Sequence, residues 1–166
     1  MVLKYDIQET PYGWIGALGS KQGIRSTSMP EFSPERVVEN LGKAMRSAEL
    51  EPGLFSTLLM KIEFFLAGRS VEFDEVIDPA IGTSFAQLVW KATREIPRGE
   101  TRSYSWVAQR AGYPRAARAV GRTMATNPFP PIVPCHRVIG ADGSLCGYGA
   151  GGLAVKQRLL DLESSR

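Results

Sequence analysis

The chain has 166 residues, of which 43% are hydrophobic, with 20 basic and 17 acidic side chains, two cysteines and one histidine. A structural zinc site needs four Cys or His ligands, and a disulfide-built secreted scaffold needs more cysteines, so both classes are excluded. The hydrophobic content is sufficient for a buried core, and the length fits one domain or two small ones.

The N-terminal twenty residues mix charged residues and glycine into the first apolar stretch, which argues against a signal peptide. No segment approaches the roughly 20 consecutive apolar residues of a membrane span. We therefore expect a cytoplasmic protein that has no membrane partner and keeps its thiols reduced.

The first third of the chain is predicted to form an antiparallel meander. Short runs rich in β-forming residues cover Val2–Ile7, Trp14–Leu18 and Ile24–Ser28. Turn sequences at Pro11–Gly13 and Gly19–Gly23 separate these runs.

Two helices and a strand are predicted to follow the meander. Ser33 is a predicted N-cap, with proline at the first helical position and apolar residues at helical spacing through Met45. A second helix is predicted at Leu54–Leu66 and a strand at Val71–Ile77. We place a domain boundary in the linker 78–82, so that residues 1–80 form an N-terminal α/β scaffold domain and residues 81–166 a C-terminal domain.

The charges differ between these two parts. Residues 1–80 hold 8 basic and 12 acidic side chains, a net of −4, whereas residues 81–166 hold 12 basic and 5 acidic ones, a net of +7. Arginine dominates the basic part, and its planar guanidinium binds phosphate and base edges in a bidentate manner. The C-terminal domain is therefore predicted to meet an anionic partner, with a merely solvated basic face as the alternative.

The C-terminal domain is predicted to begin with three helices. Thr83 or Ser84 caps the first, which ends at Pro97–Gly99. The residues predicted for its buried face are Phe85, Leu88, Val89, Ala92 and Ile96. Ser103 caps a short second helix, from Tyr104 to Ala111, which Gly112 terminates.

Pro114 is predicted to begin the third helix, which must end before Pro128 because proline is not tolerated in a helix interior. Two helices joined by a short turn that contains glycine are typical of a helix-turn-helix. The helix that Pro114 opens, the latter of the two, carries Arg115, Arg118 and Arg122 among small residues, so its backbone could approach a nucleic-acid groove closely. The alternative is a plain packing unit.

A proline-rich segment at 127–134, predicted to be extended, leads directly into Cys135 and His136. A thiolate is the nucleophilic form of cysteine, and a neighbouring imidazole can lower the thiol pKa, either directly or through a bridging water. Glu163 on a predicted amphipathic helix, Leu153–Glu163, is our candidate for orienting the imidazole, with Asp142 and Asp161 as alternatives. A buried structural cysteine beside a surface histidine is the competing interpretation.

A glycine-rich segment at 140–152 follows the Cys-His pair and contains the second cysteine, Cys146. The segment lacks the Gly-Lys-Ser/Thr ending of a phosphate loop, so we interpret it as the wall of a pocket for a planar ligand, with Tyr104 and Tyr148 as candidate walls. Cys146 has no activating charge beside it, and a redox disulfide with Cys135 is the less favoured alternative.

The segment Pro134–Val138 closely resembles the methylated-DNA--protein-cysteine methyltransferases, also called O6-alkylguanine-DNA alkyltransferases. Further matches follow the family's order at Thr10–Trp14, Arg115–Gly121, Asn127–Pro128, Gly147–Tyr148, Leu159–Leu160 and Glu163. The resemblance covers nearly the whole chain. It implies an α+β fold, with a small ribonuclease H-like N-terminal antiparallel sheet and helices, then a mostly helical DNA-binding and catalytic domain with a winged helix-turn-helix.

The activity that the resemblance implies is one-step DNA repair without a cofactor. The family flips the damaged base of double-stranded DNA out of the stack and moves the alkyl group from O6 of guanine to a cysteine, once per molecule. Carried over to this chain, Cys135 is the acceptor, His136 the base acting through a water, and Glu163 its orienting carboxylate. Tyr104 would rotate the phosphate and donate towards the base.

The resemblance also assigns the DNA contacts and the pocket. Arg118 would fill the gap left by the flipped base, and Asn127 would be the hinge between the recognition helix and the active-site segment. The other DNA-binding residues would be Arg115, Ala117, Tyr104 and Gly121. The substrate pocket would comprise Met124, Val138, Tyr148, Gly149 and Lys156, with the carbonyls of Val138 and Cys135 facing the guanine amino group.

The sequence departs from the family pattern in two places. The run Gly149–Gly152 is one residue longer than usual, which leaves open which amide faces the guanine oxygen. Residues 1–134 contain no Cys or His, so the N-terminal zinc site of some relatives is absent and no metal is expected.

Two other functions remain as alternatives. One is a DNA-binding module without chemistry, either a winged-helix regulator or a lesion-marking protein, and the other is a thiol hydrolase or peroxidase. A monomer acting on DNA that carries O6-alkylguanine is the prediction, with cooperative binding and activity on O4-alkylthymine left open.

Overall fold

The structure is a computed structural model that describes residues 2–164, and the chain folds as a mixed α+β protein with two compact units. The first unit contains residues 2–81 and 128–132, and the second contains residues 82–127 and 133–164. The boundary predicted near residue 80 did not place the short segment 128–132 in the first unit. There the Thr27 backbone N–H donates to the Pro128 carbonyl at 2.9 Å, and its hydroxyl donates to the Pro130 carbonyl at 2.6 Å.

The first unit is built on a four-stranded sheet. Strands β1 (Leu3–Thr10), β2 (Gly13–Ser20) and β3 (Gly23–Glu31) form the predicted antiparallel meander. A fourth strand, β4 (Ala48–Leu50), pairs in parallel with β1, so the order is β3-β2-β1-β4 and the sheet is mixed. The expectation of a wholly antiparallel sheet was wrong, because the helical connection after β3 returns the chain in the direction of β1.

Two helices pack on this sheet. Helix α1 (Pro34–Leu41) begins at Ser33, whose hydroxyl accepts from the Arg36 amide at 3.3 Å, as the proline and the cap predicted. It packs against β2 and β3, and a Cβ at Gly16 would lie only 2.6 Å from Cγ1 of Val37. Helix α2 (Ser56–Leu66) contacts β1 and β2 and begins two residues later than predicted.

The predicted strand at Val71–Ile77 is not present. The segment meets β3 only through one bridge, in which the Ile24 amide donates to the Val76 carbonyl and the Ile24 carbonyl accepts from the Asp78 amide. Its acidic side chains pair instead with Lys61 on α2. The alternating pattern therefore marked an extended segment that is fixed by side chains rather than by a hydrogen-bonded ladder.

The second unit contains four helices and a small two-stranded sheet. The helices are α3 (Ser84–Arg94), α4 (Tyr104–Arg110), α5 (Ala117–Ala125) and α6 (Gly152–Ser164). Strands β5 (Arg102–Ser103) and β6 (Val138–Ile139) pair in parallel. Helix α3 packs against α4 and α5, which also pack against each other. The ribonuclease H-like and winged helix-turn-helix assignments stay predictions.

The predicted caps of α3 and α4 are confirmed, whereas the start of α5 is wrong. Thr83 and Ser103 accept from the amides of Ala86 and Trp106. Pro114 does not open α5, because it lies in a turn that the Ala116 amide closes on the Tyr113 carbonyl at 2.9 Å. Arg115 therefore lies in the connection 111–116, before the helix.

The buried face of α3 differs from that predicted, and the buried face of α6 carries charged residues. On α3, Leu88 is exposed and Trp90 is buried, and Ile96 is buried beyond the end of the helix. On α6, the fully buried residues are Lys156, Leu159 and Glu163, so the inward face carries two charged groups that apolar spacing could not identify.

The proline-rich segment is not extended as predicted. Residues 130–132 form turns, and Cys135–Arg137 form a single 3₁₀ turn. Proline fixes φ near −65°, a value that turns also use, so a run of prolines does not require extension. Within residues 2–164, no helix combines the length and the apolar composition that crossing a bilayer requires.

Candidate active site

Cys135 begins the 3₁₀ turn and is 4% exposed. The side-chain amide of Asn127 donates to its sulfur at 3.1 Å and to the Val133 carbonyl at 3.0 Å. Burial raises the pKa of the Cys135 thiol, while the Asn127 hydrogen bond and the Lys156 charge act in the opposite direction. A thiolate formed at Cys135 would thus be stabilised by Asn127 and Lys156 against the cost of burial.

His136 and Arg137 both contact Glu163 from α6. The imidazole Nε2 forms a hydrogen bond with one carboxylate oxygen of Glu163, and Arg137 donates through Nε to the other at 2.9 Å. Burial opposes ionisation of Glu163, but these two bonds outweigh it and lower its pKa to about 2. Burial lowers the pKa of His136, so the imidazole is neutral beside the ionised carboxylate of Glu163.

Of the three acidic residues considered from the sequence, Glu163 is therefore the one that contacts the imidazole. Asp142 is exposed and accepts from the Ser144 amide at 3.0 Å, and Asp161 accepts from Gln157 at 2.9 Å. Sequence reasoning missed Arg137, which also donates to the Ile96 carbonyl at 2.7 Å. A basic residue next to the histidine, with Asp161 and Glu163 on the last helix, was the available signal.

A cavity of about 610 Å³ opens beside the Cys135 sulfur. The predicted site residues that line it are Cys135, Tyr104, Ala117, Arg118, Gly121, Met124, Tyr148 and Gly149. Ala125, Cys146 and Gly147 also line it, and the last two belong to the segment 140–152 that was predicted to form a pocket wall. The mixed apolar and aromatic walls suit a flat organic ligand.

Six predicted site residues do not line this cavity. They are Arg115, Asn127, His136, Val138, Lys156 and Glu163. Asn127, His136 and Glu163 stand behind Cys135 in the contacts described above, and Arg115 is exposed in the connection before α5. Their predicted roles in DNA repair stay predictions.

Lys156 lies behind the cavity wall and not in the cavity. Its ammonium donates to three backbone carbonyls, those of Val138 and Leu145 at 2.6 Å each and that of Gly147 at 3.0 Å. Burial lowers the pKa of Lys156, and the two cysteines oppose that shift. The Val138 carbonyl, predicted to face a guanine amino group, thus already accepts from an ammonium.

The glycine-rich segment approaches α5 at Gly149. A Cβ at Gly149 would lie 2.1 Å from the carbonyl oxygen of Ala125 in the last turn of α5, so only glycine fits there. At Gly147, by contrast, a Cβ would have no neighbour within 4 Å. The cavity wall is therefore fixed to α5 at one backbone contact.

Tyr104 and Tyr148 stand in the cavity wall as candidate donors. Burial raises the pKa of Tyr104, so its hydroxyl stays protonated. Burial and the adjacent Cys135 sulfur raise the pKa of Tyr148 well above its ordinary value. Both phenols therefore keep a proton that they can donate into the site.

Cys146 is exposed, and its thiol lies 3.2 Å from the Ser144 hydroxyl. Both cysteines are free thiols, so the disulfide alternative is not formed. The φ of 67° at Cys146 is unusual for a residue other than glycine. In the part of the chain that the structure describes, no three His, Cys, Asp or Glu residues are grouped to hold a metal ion.

A buried cysteine beside a cavity thus lies in a helical unit with exposed arginines, and the chain is similar to known proteins. A family model described as the DNA-binding domain of 6-O-methylguanine DNA methyltransferase matches residues 84–165. A methylated-DNA--protein-cysteine methyltransferase from Mycobacterium tuberculosis is 53% identical over 116 residues, which are 70% of this chain and 69% of that protein. One from Methanosarcina acetivorans is 40% identical over 161 residues, 97% of this chain and 98% of that protein.

Solved structures agree over the length of the chain. The crystal structure of Mycobacterium tuberculosis OGT in complex with DNA has a TM-score of 0.78 and 40% sequence identity, covering 97% of this chain and 92% of that one. The chain belongs to the methylated-DNA--protein-cysteine methyltransferase family, a family of enzymes.

Proposed function

We propose that this protein repairs O6-alkylguanine in double-stranded DNA by transferring the alkyl group irreversibly to Cys135. The observation that carries the proposal is the placement of the Cys135 sulfur, which lies in the wall of a cavity and accepts a hydrogen bond from Asn127. A cavity of about 610 Å³ falls within the size range of small-molecule sites, so a single extrahelical base could enter it.

The proton of the Cys135 thiol leaves towards His136. Because Nε2 of His136 faces Glu163, the relay to the sulfur runs through Nδ1 and a water. The neutral imidazole can accept this proton, and the ionised Glu163 stabilises the imidazolium that results. Arg137 holds the carboxylate in place during this step.

The bond-making step is a displacement at the alkyl carbon. The thiolate sulfur forms a bond to carbon as the bond from that carbon to O6 breaks, and the electron pair remains on the guanine. Tyr104, whose hydroxyl is protonated, donates towards the leaving base. The product is a thioether, which has no easy route back to a thiol, so each molecule reacts once.

Base flipping brings the guanine to the sulfur in this proposal. Arg118 is exposed on α5 and lines the cavity, so its side chain can occupy the space that the flipped base leaves in the stack. Ala117 and Gly121 leave the backbone of α5 open to close approach, and Arg115 lies just before the helix. Asn127 follows α5 and bonds to the cysteine segment, which suits a hinge.

Intact-mass measurement tests the proposal. We expect the full chain, incubated with a duplex that contains O6-methylguanine, to gain one methyl group in place of one hydrogen. Cys135→Ser should gain nothing, and the matched variant Cys146→Ser should still gain it. An unmodified wild-type protein would favour a DNA-binding module without chemistry, and repeated turnover would favour a thiol hydrolase or peroxidase.

A further inference from the structure

We infer that Lys156 is a positioning residue for alkyl transfer, whose buried ammonium stabilises the thiolate of Cys135 from behind the cavity wall. This inference rests on the proposed function, because it assigns a thiolate to the same site. It differs from the pocket role predicted for Lys156, since the ammonium would act on the sulfur and would not touch the base.

The charge of Lys156 is buried without an anion. The residue is 1% exposed, and its three N–H donors are all directed to backbone carbonyls. Among residues 2–164, no carboxylate forms an ion pair with it. Burying an ammonium with only neutral partners is costly, so its charge is available to interact with any negative charge that forms nearby.

The bonds of Lys156 place its charge beside the segment that carries Cys135, where it acts to lower the pKa of the thiol. The Val138 residue that accepts from the ammonium also donates its backbone N–H to the Cys135 carbonyl. Gly147, another acceptor, lines the cavity together with Cys135. The ammonium also lies 5.9 Å from the centre of the ring of Tyr104, the first residue of α4.

Two positive charges at this site have no ion pair among residues 2–164, that of Arg118, which is exposed, and that of the buried Lys156. The titratable and charged groups that face this site from all its elements are Tyr104, Arg118, His136, Arg137, Cys146, Tyr148, Lys156 and Glu163. Arg137 and Glu163 cancel each other as an ion pair, and the imidazole and phenols are neutral. Lys156 is thus the buried charge without an anion, and ionisation of Cys135 would supply a negative charge near it, whereas the charge of Arg118 is exposed to solvent.

The same three bonds also fix the segment between Val138 and Gly147. A variant of Lys156 could therefore change the shape of the cavity as well as its potential. These effects are separable, because loss of shape alters the rate at which a reagent reaches the sulfur at every pH. Loss of charge alters the pH at which the thiolate appears.

The test uses the full chain with Cys146→Ser, so that Cys135 is the remaining thiol. Iodoacetamide is the probe, and intact mass gives the rate of Cys135 modification across pH. Lys156→Gln keeps two donors for the carbonyls but removes the charge, Lys156→Met removes both, and Lys156→Arg keeps the charge. Lys91→Met, at an exposed lysine on α3, is the matched control for losing a positive charge.

We expect Lys156→Gln and Lys156→Met to raise the midpoint of the pH profile by about one unit, which is about a tenfold loss of rate near neutral pH. Lys156→Arg and Lys91→Met should keep the midpoint of the parent. If Lys156→Met does not fold, Lys156→Gln alone decides. An unchanged midpoint in the glutamine variant would overturn the inference, even if the high-pH rate fell, because that pattern means a structural role only.

Failure of the proposed function would look different. A parent protein that takes no methyl group from DNA would contradict alkyl transfer, yet the iodoacetamide profiles would still show whether Lys156 stabilises the thiolate.

Discussion

Replacing Glu163 by glutamine should destabilise the protein at neutral pH and much less in acid. The carboxylate is held ionised in the folded state by His136 and Arg137, and its side chain is 1% exposed. Glutamine preserves the shape and can still accept a hydrogen bond. The substitution therefore removes the charge and one of the two acceptor oxygens while keeping the size of the side chain.

The magnitude follows from the pKa. Folding lowers the pKa of Glu163 from 4.5 to about 2. At about 1.4 kcal/mol per pKa unit, the ionised form contributes about 3 kcal/mol to the free energy of unfolding at pH 7. Because the pKa is lowered on folding, this contribution is complete above about pH 4.5 and is lost as the pH falls towards 2, with about 1 kcal/mol left at pH 3.

Urea unfolding of wild type and Glu163→Gln at pH 7 and pH 3, followed by tryptophan fluorescence, measures this difference. With a slope of about 2 kcal/mol per molar urea, the two midpoints should differ by about 1.5 M at pH 7 and by about 0.5 M at pH 3. Glu95→Gln is the control, since Glu95 pairs with Arg110 on the surface and should change stability by less than about 1 kcal/mol. Equal destabilisation of Glu163→Gln at both pH values would refute the reasoning.

Two further substitutions test the cavity. Gly149→Ala should slow the reaction with both duplex DNA and free O6-benzylguanine and should lower the unfolding midpoint. The reason is that its Cβ would meet the Ala125 carbonyl oxygen. Gly147→Ala, whose Cβ meets nothing within 4 Å, is the control and should behave as wild type. Similar losses in both variants would contradict the close approach at Gly149. Arg118→Ala should slow repair of duplex DNA at least tenfold more than reaction with free O6-benzylguanine, because only the duplex requires a gap in the stack to be filled. Equal losses on the two substrates would exclude that role for Arg118.

Local features of the sequence predicted local structure well. Ser33, Thr83 and Ser103 cap helices as expected, since a cap depends on a side chain and an amide two or three residues away. The meeting of His136 and Glu163 was also predicted, because a lone histidine beside a cysteine needs an acid and the family resemblance named one. In these cases the partners were few and the chemistry specified them.

Features that depend on distant backbone were not predictable. The family resemblance placed Lys156 in the substrate pocket, and only the fold reveals that three carbonyls from a separate segment surround its ammonium. The hydrogen bond from Asn127 to the sulfur depends in the same way on how the chain returns after α5. At Val71–Ile77 the alternation was real, but a strand also needs a partner edge, which sequence alone does not show.

The two units are interleaved along the chain, and this limits how the protein can be divided. Residues 128–132 belong to the first unit although the residues on both sides belong to the second, and Cys135 comes three residues after this excursion. A fragment that starts at residue 82 would carry the excursion but lose Thr27, whose amide and hydroxyl bind its carbonyls. A cut near residue 82 therefore separates Thr27 from the segment 128–132 that it binds, which lies just before Cys135 in the chain.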